Sequence, residues 1–155
     1  MYTKRADDLV NVDANGKARE HHSWGAYLLS SYLFYNEDGH KLNAFFRPSI
    51  ANDDTMQVEY AYEVGLMAQG WVPTREESEI GIGLAQAING DPHMAAQLVA
   101  ATPSNRSEYA MELFYRDKVM PGLALQPDVQ YIVNPGTAAG VKNAVVVGLR
   151  ADLLF

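Results

Sequence analysis

Eight hydrogen-bonding side chains recur at in-phase positions of short apolar segments: Arg47, Glu59, Glu63, Glu112, Arg116, Asp128, Gln130 and Arg150. Carboxylates accept hydrogen bonds from hydroxyl groups, guanidinium groups donate to them, and a carboxamide does both. Such a set can hold a polar solute weakly and let it go. The plain alternative is that each group sits in water or pairs with a neighbour across a strand. Nothing in the set makes or breaks bonds, so no catalytic residue is assigned.

Other patterns carry less chemistry. "HHS", His21 to Ser23, brings imidazole and hydroxyl together, but metal or nucleophilic chemistry needs partners that the sequence does not identify. A solvated loop accounts for it. "GIGLAQ", Gly81 to Gln86, has G-x-G without a third glycine in register or a following helix, so it is no nucleotide cradle. Glycine inside a strand more often relieves bending or crowding. There is no cysteine, hence no disulfide framework and no thiolate metal site. No metal or cofactor is expected.

The polar groups need a scaffold. The chain has 155 residues, 48% of them hydrophobic, and a net charge of −7, which fits one domain and argues against a nucleic-acid partner. No apolar run is long enough for a membrane-crossing helix. The opening "MYTKRADDLVNVDANGK" is polar and is not a signal peptide. What remains is period two. It predicts strands over Trp24–Tyr35, Lys41–Ile50, Val58–Val72, Ser78–Asn89, Glu108–Val119, Leu123–Val133 and Ala144–Phe155. Clusters of Gly, Pro, Asn and Asp separate them. "HMAAQLVAA", His93 to Ala101, is helix-prone but short and is placed in a long loop. Pro48 and Pro127 each remove a ladder donor, so local irregularities are expected there.

In the last three strands one face is almost wholly apolar. It carries Tyr109, Met111, Leu113, Tyr115, Asp117 and Val119, then Leu123 to Val133 at alternate positions, then Val145, Val147, Leu149, Ala151, Leu153 and Phe155. The other face carries Glu108, Glu112, Arg116, Lys118, Asp128, Arg150 and Asp152. A soluble β-sandwich or small β-barrel binding a ligand in its interior gives the same alternation. Loop lengths favour a different fold. "NEDGH", "PTREE" and "MPG" are tight, whereas residues 1–23, "ANDDTMQ", "GDPHMAAQLVAATPSNRS" and "NPGTAAGVKN" are long. Short turns at one end and long loops at the other are the habit of a transmembrane β-barrel. Tyr109, Tyr115, Tyr131, Trp24, Trp71 and Phe155 fall near strand ends, where aromatic girdles sit.

A terminal strand, "NAVVVGLRADLLF", that alternates and ends on Phe155 resembles the C-terminal signature of bacterial outer-membrane barrels. That resemblance implies recognition by the barrel-assembly machinery. "EYAYEVGLMAQGWVPTREESEIGIGLA", "SEYAMELFYRDKVMPGLALQPDVQYIVNPG" and "NAVVVGLRADLLF" together resemble the carbohydrate-selective porin family, OprB type, with "LQPDVQYIVNPG" the most specific part. The resemblance implies a bacterial outer-membrane channel for small neutral sugars, embedded in outer-membrane lipid, with about sixteen strands in the full-length barrel. It makes this chain the C-terminal part of a single barrel domain. The expected fold is all-β: an antiparallel up-and-down transmembrane β-barrel segment of about seven to eight strands. Residues 1–23 are expected to be a loop or a damaged strand, and residues 24–155 the strands. The eight polar side chains then become candidate pore-lining, sugar-binding groups. A lipase-type outer-membrane enzyme would need a Ser–His pair, and the strand cores hold no histidine.

Overall fold

The computed structural model describes residues 2–154, with side chains from Arg5 onward. Nine strands form one antiparallel sheet: β1 (Tyr2–Val12), β2 (Ala18–Tyr27), β3 (Ser30–Glu37), β4 (His40–Ala51), β5 (Val58–Gln69), β6 (Glu79–Asn89), β7 (Ser107–Met120), β8 (Leu123–Val133) and β9 (Ala144–Leu153). Their spatial order is β1-β2-β4-β5-β6-β7-β8-β9, with β3 also paired to β4. One helix, α1 (Asp91–Val99), lies in the β6–β7 connection, so the helix-prone segment does fold as a helix within its long loop. The expected signal at Phe155 lies outside the described residues.

β2 and β3 are two stretches of one strand line. Both face β4 in a single register, Gly25 opposite Ala51 and Ser30 opposite Phe46. The break falls at Leu28, whose N–H donates to the Pro48 carbonyl at 3.0 Å. Pro48 has no N–H to return, so the ladder opens there. Pro127 acts likewise: it pairs with Leu149 on β9, while the β7–β8 ladder runs from Phe114–Asp128 to Asp117–Leu125 and skips the residues between. Counted by line, β2/β3 and β4 to β9 are the strands that the periodicity predicts, in up-and-down order with sequence neighbours paired.

Residues 1–23 differ from expectation. β1 and β2 form a hairpin that continues past the end of β4, closed by a turn in which Asp13 Oδ1 accepts from the N–H groups of Asn15 and Lys17. Alternation is lost in the sequence because the register shifts between Asp7 and Val12. The bulge is filled by Asp8, whose carboxylate accepts from the N–H groups of Val10 and Asn11 at 2.8 and 2.7 Å. "HHS" therefore lies in a strand and not in a loop. His21 stands 3.2 Å from the Asp8 carboxylate, and no cluster suited to a metal occurs among the described residues.

The two ends of the sheet are built differently. At one end two connections are two-residue turns, and the third, 70–78, is longer than the sequence pattern predicts. β3 and β4 are joined through Asp38 and Gly39, both at positive φ, the Asp-Gly signature of a type I′ hairpin. β7 and β8 are joined through Pro121 and Gly122, with φ of 80° at the glycine, as a type II turn requires. β5 stops at Gln69 rather than Val72 because Gly70 turns the chain at φ 76°. At the other end, besides the short 13–17 turn, are the connections 52–57, 90–106 and 134–143. Asn89 ties these three together. It is fully buried; its amide donates to the Asn105 carbonyl at 3.2 Å and to Thr137 Oγ1 at 3.0 Å, and its Oδ1 accepts from Gln57 at 3.3 Å.

No apolar side chain is buried among the described residues. The chain exposes 10575 Å2 of surface. A compact soluble chain of 17.1 kDa would expose about 7,800 Å2 by the mass scaling of folded monomers. A sandwich covers its apolar face with a second sheet; the described residues form one sheet.

The polar face and its cleft

Cross-strand partners in an antiparallel sheet point to the same face, so the register assigns each candidate. Arg47 pairs with Glu63, Glu63 with Ala85, and Ala85 with Ala110. One step along, Phe45, Gly65, Gly83, Glu112, Gln130 and Val146 form the next row. The following row is Asn43, Met67, Gly81, Phe114, Asp128 and Gly148. Towards the tight turns come Lys41, Gln69, Glu79 and Arg116, with Gln126 and Arg150 paired beside them. Seven of the eight candidates thus share one face. Glu59 does not fall in this set. It is the extra residue of a bulge between Val58–Asn89 and Tyr60–Ile88, at the long-loop end and away from the rest.

The opposite face holds Val145, Val147, Leu149, Leu153, Leu113, Leu125 and Val129, together with Ile80, Ile82, Leu84, Val64 and Leu66. Leu149 is 69% exposed and Val147 76%. Among the polar groups on this face, Gln86 and Asp117 are both matched. Gln86 accepts from the Tyr62 hydroxyl at 2.5 Å, and Asp117 pairs with Arg75 at 3.1 Å.

On the polar face the charges pair across strands. Arg47 lies 3.3 Å from Glu63 and stacks 4.6 Å above the Phe45 ring. Gln130 donates to Glu112 at 3.4 Å and to Asp128 at 3.3 Å. Arg116 donates to Asp152 at 3.1 Å and stands 3.8 Å from Glu79, and Lys118 meets Glu77 at 3.0 Å. Between the Phe45–Arg47–Glu63 group and the Glu112–Gln130 pair lies a cleft of about 260 Å3, floored by Gly83, Ala85 and Ala110. The small floor residues leave the opening, and donors and acceptors of both signs line its walls.

Sequence reasoning missed the aromatic and glycine members. Phe45 lies over Gly65, where a Cβ would meet the ring at 2.5 Å. Phe114 lies over Gly81 in the same manner. "GIGLAQ" therefore supplies a seat for one ring at Gly81 and the open floor of the cleft at Gly83. The available signal was phase: Phe114 stands between Glu112 and Arg116, and Phe45 two residues before Arg47, each on the charged parity of its strand.

The family model described as carbohydrate-selective porin, OprB family, matches residues 2–155. This chain belongs to that family. It is 25% identical over 178 residues to Porin B of Pseudomonas aeruginosa PAO1, covering 99% of this chain and 39% of that protein. It is 27% identical over 143 residues to the uncharacterized protein alr4550 of Nostoc sp. PCC 7120, covering 84% of this chain and 24% of that protein. Among solved structures, Pseudomonas putida OprB at high pH superposes with a TM-score of 0.85 at 24% identity, over 96% of this chain and 41% of that one. That likeness carries the fold: the single antiparallel sheet matches part of an OprB-type β-barrel. The chain spans about two-fifths of the length of Porin B.

Proposed function

We propose that this segment forms one wall of an outer-membrane channel for passive diffusion of small neutral sugars. The observation that carries the reading is the division of the sheet. Seven candidate hydrogen-bonding groups and a cleft lie on one face, and an apolar face with nothing to bury it lies on the other. The polar face then lines water and the apolar face meets outer-membrane lipid. The rest of the barrel, about sixteen strands in all, comes from strands upstream, so residues 1–155 are the C-terminal part of one barrel domain. The tight turns face the periplasm and the long loops face outward. The end of β9 with Phe155 is the element offered to the barrel-assembly machinery.

Passage needs no bond-making. A sugar entering the cleft exchanges part of its hydration for contacts to Arg47, Glu63, Glu112 and Gln130, and Arg116, Asp128 and Arg150 extend the polar track towards the tight turns. Arg47, Glu63, Glu112, Gln130 and Arg116 each share their contact with a cross-strand partner, which keeps it weak. A deep well would trap the solute and slow its release. The test is single-channel conductance of the complete porin carrying this segment, titrated with glucose. Glu112→Ala and Arg116→Ala should each shift the half-blocking glucose concentration about two- to tenfold, the worth of one hydrogen bond, with the channel still open. Failure of glucose to interrupt the wild-type current would replace the sugar reading by a general diffusion pore.

A further inference from the structure

We propose that Phe114 is the stacking residue of a sugar subsite on the polar face, next to Glu112 in β7; the inference rests on the sugar-channel reading above. Phe114 is an apolar residue on the polar face, between Glu112 and Arg116 in β7, paired with Gly81 on β6 and with Asp128 on β8. The two side chains lean apart. The ring lies over Gly81, where a Cβ would collide with it, and the carboxylate lies over Gly148, where a Cβ would collide with Oδ2. Neither glycine has a positive φ, so neither is required by the backbone. Their missing side chains provide space: the ring fills the place over β6 and the carboxylate the place over β9, which leaves the ring uncrowded by Asp128.

The acceptor on the ring's own strand is Glu112, two residues along β7 on the same face, which accepts from Gln130. Phe45 differs in kind: it is sandwiched between Gly65 and the Arg47 guanidinium, so its outer face is taken. Phe114 carries no such cation among the described residues and is half-buried rather than covered.

A pyranose with equatorial hydroxyls fits this chemistry. Its axial C–H bonds make a face of slight positive charge, which meets the negative face of an aromatic ring. Its rim hydroxyls can donate to a carboxylate of the same face. An open-chain alditol has the same hydroxyls and no fixed C–H face. The ring therefore distinguishes ring-closed from open-chain solutes, which the carboxylates alone do not.

The experiment uses the complete porin carrying this segment in planar bilayers, with glucose and sorbitol as probes. Phe114→Ala should raise the half-blocking glucose concentration about two- to tenfold and leave the weaker sorbitol response unchanged. Phe114→Trp, which keeps a ring face, should stay within about twofold of wild type. Gly81→Ala keeps the ring but displaces it, and should weaken glucose as Phe114→Ala does. Sugar-free conductance reports assembly of each variant. If glucose blocks Phe114→Ala as it blocks wild type, the ring merely covers Gly81 and the proposal is overturned. It is equally overturned if Phe114→Trp loses as much as Phe114→Ala, or if sorbitol and glucose weaken together. If glucose never blocks wild type, the sugar-channel reading falls and takes this inference with it.

Discussion

Leu149→Arg sets the lipid face against the water face at neighbouring positions. Leu149 is mid-strand in β9, opposite Pro127, with four residues to Val145 on one side and to Leu153 on the other. Each interval is about 13 Å along the strand. With a strand tilt of about 40°, that is about 10 Å of depth to either rim of the apolar band. A guanidinium placed there lies too deep for its stem to carry it easily to headgroups or water. The cost of Arg near the midplane of a barrel's lipid face is about 2–4 kcal/mol, or roughly 30- to 900-fold in the folding equilibrium. Arg150→Leu changes the adjacent residue on the polar face, where Arg150 sits beside Gln126 and makes no ion pair among the described residues. Its effect should stay within about 0.5 kcal/mol. The assay is equilibrium folding of the complete porin into lipid vesicles, read by the heat-dependent shift in electrophoretic mobility. Equal effects of the two substitutions would refute the facing of β9, and with it the lipid contact inferred for the apolar face.

Two further outcomes concern the long-loop end. Asn89→Leu removes the amide that ties three connections and leaves Gln57 and Thr137 without that partner; loops 90–106 and 134–143 should lose protection in amide exchange by about 1–3 kcal/mol, while β5 to β8 keep theirs. Asp8 is held at a pKa of about 2, first by the Asn11 and Val10 backbone N–H groups and then by the Asn11 side chain. A depressed carboxylate stabilises fully above its ordinary pKa near 3.8, and that stabilisation is lost as the pH falls towards about 2. Proteolysis of the β1–β2 hairpin by an acid-active protease should therefore rise between pH 4 and pH 2 in wild type and should not change over that range in Asp8→Asn.

Alternation made most of this sheet legible. β8 runs Leu123–Val133 as the periodicity predicts, and β7 and β9 differ by a residue or two at their ends. The parity of Glu112, Arg116, Asp128, Gln130 and Arg150 placed them on one face because period two leaves no other choice. Bulges defeat the same logic. Glu59 was counted with the polar set, but the extra residue in β5 between Val58 and Tyr60 interrupts the phase. The Asp8 bulge hides the alternation of β1, so the sequence of the hairpin reads as a loop or a damaged strand. Phe45 and Phe114 were hidden for a different reason. An aromatic on a wet face looks like noise until its partner glycine is known, and partners in neighbouring strands are not adjacent in sequence.

The polar exceptions on the apolar face measure the thickness of what that face meets. Gln86, satisfied by Tyr62, lies towards the long loops; Asp117, satisfied by Arg75, lies at the tight turns, in register with Ser78 of the turn preceding β6. Between Gln86 and Ser78 the outward positions of β6 are Leu84, Ile82 and Ile80, and the facing positions of β7 are Met111, Leu113 and Tyr115. Those eight residues of strand span about 27 Å, or about 20 Å of depth at a tilt near 40°, close to the apolar band of outer-membrane barrels at about 25 Å. Aromatic residues mark the same two levels. Tyr60, Tyr62, Tyr109 and Tyr131 stand near the upper limit, and Tyr115 near the lower, where Tyr35, His40 and Trp71 pack together at the turns. A carboxylate and a carboxamide are tolerated on this face only where each has a partner and the apolar layer ends. That arrangement fits the lipid contact proposed for this face.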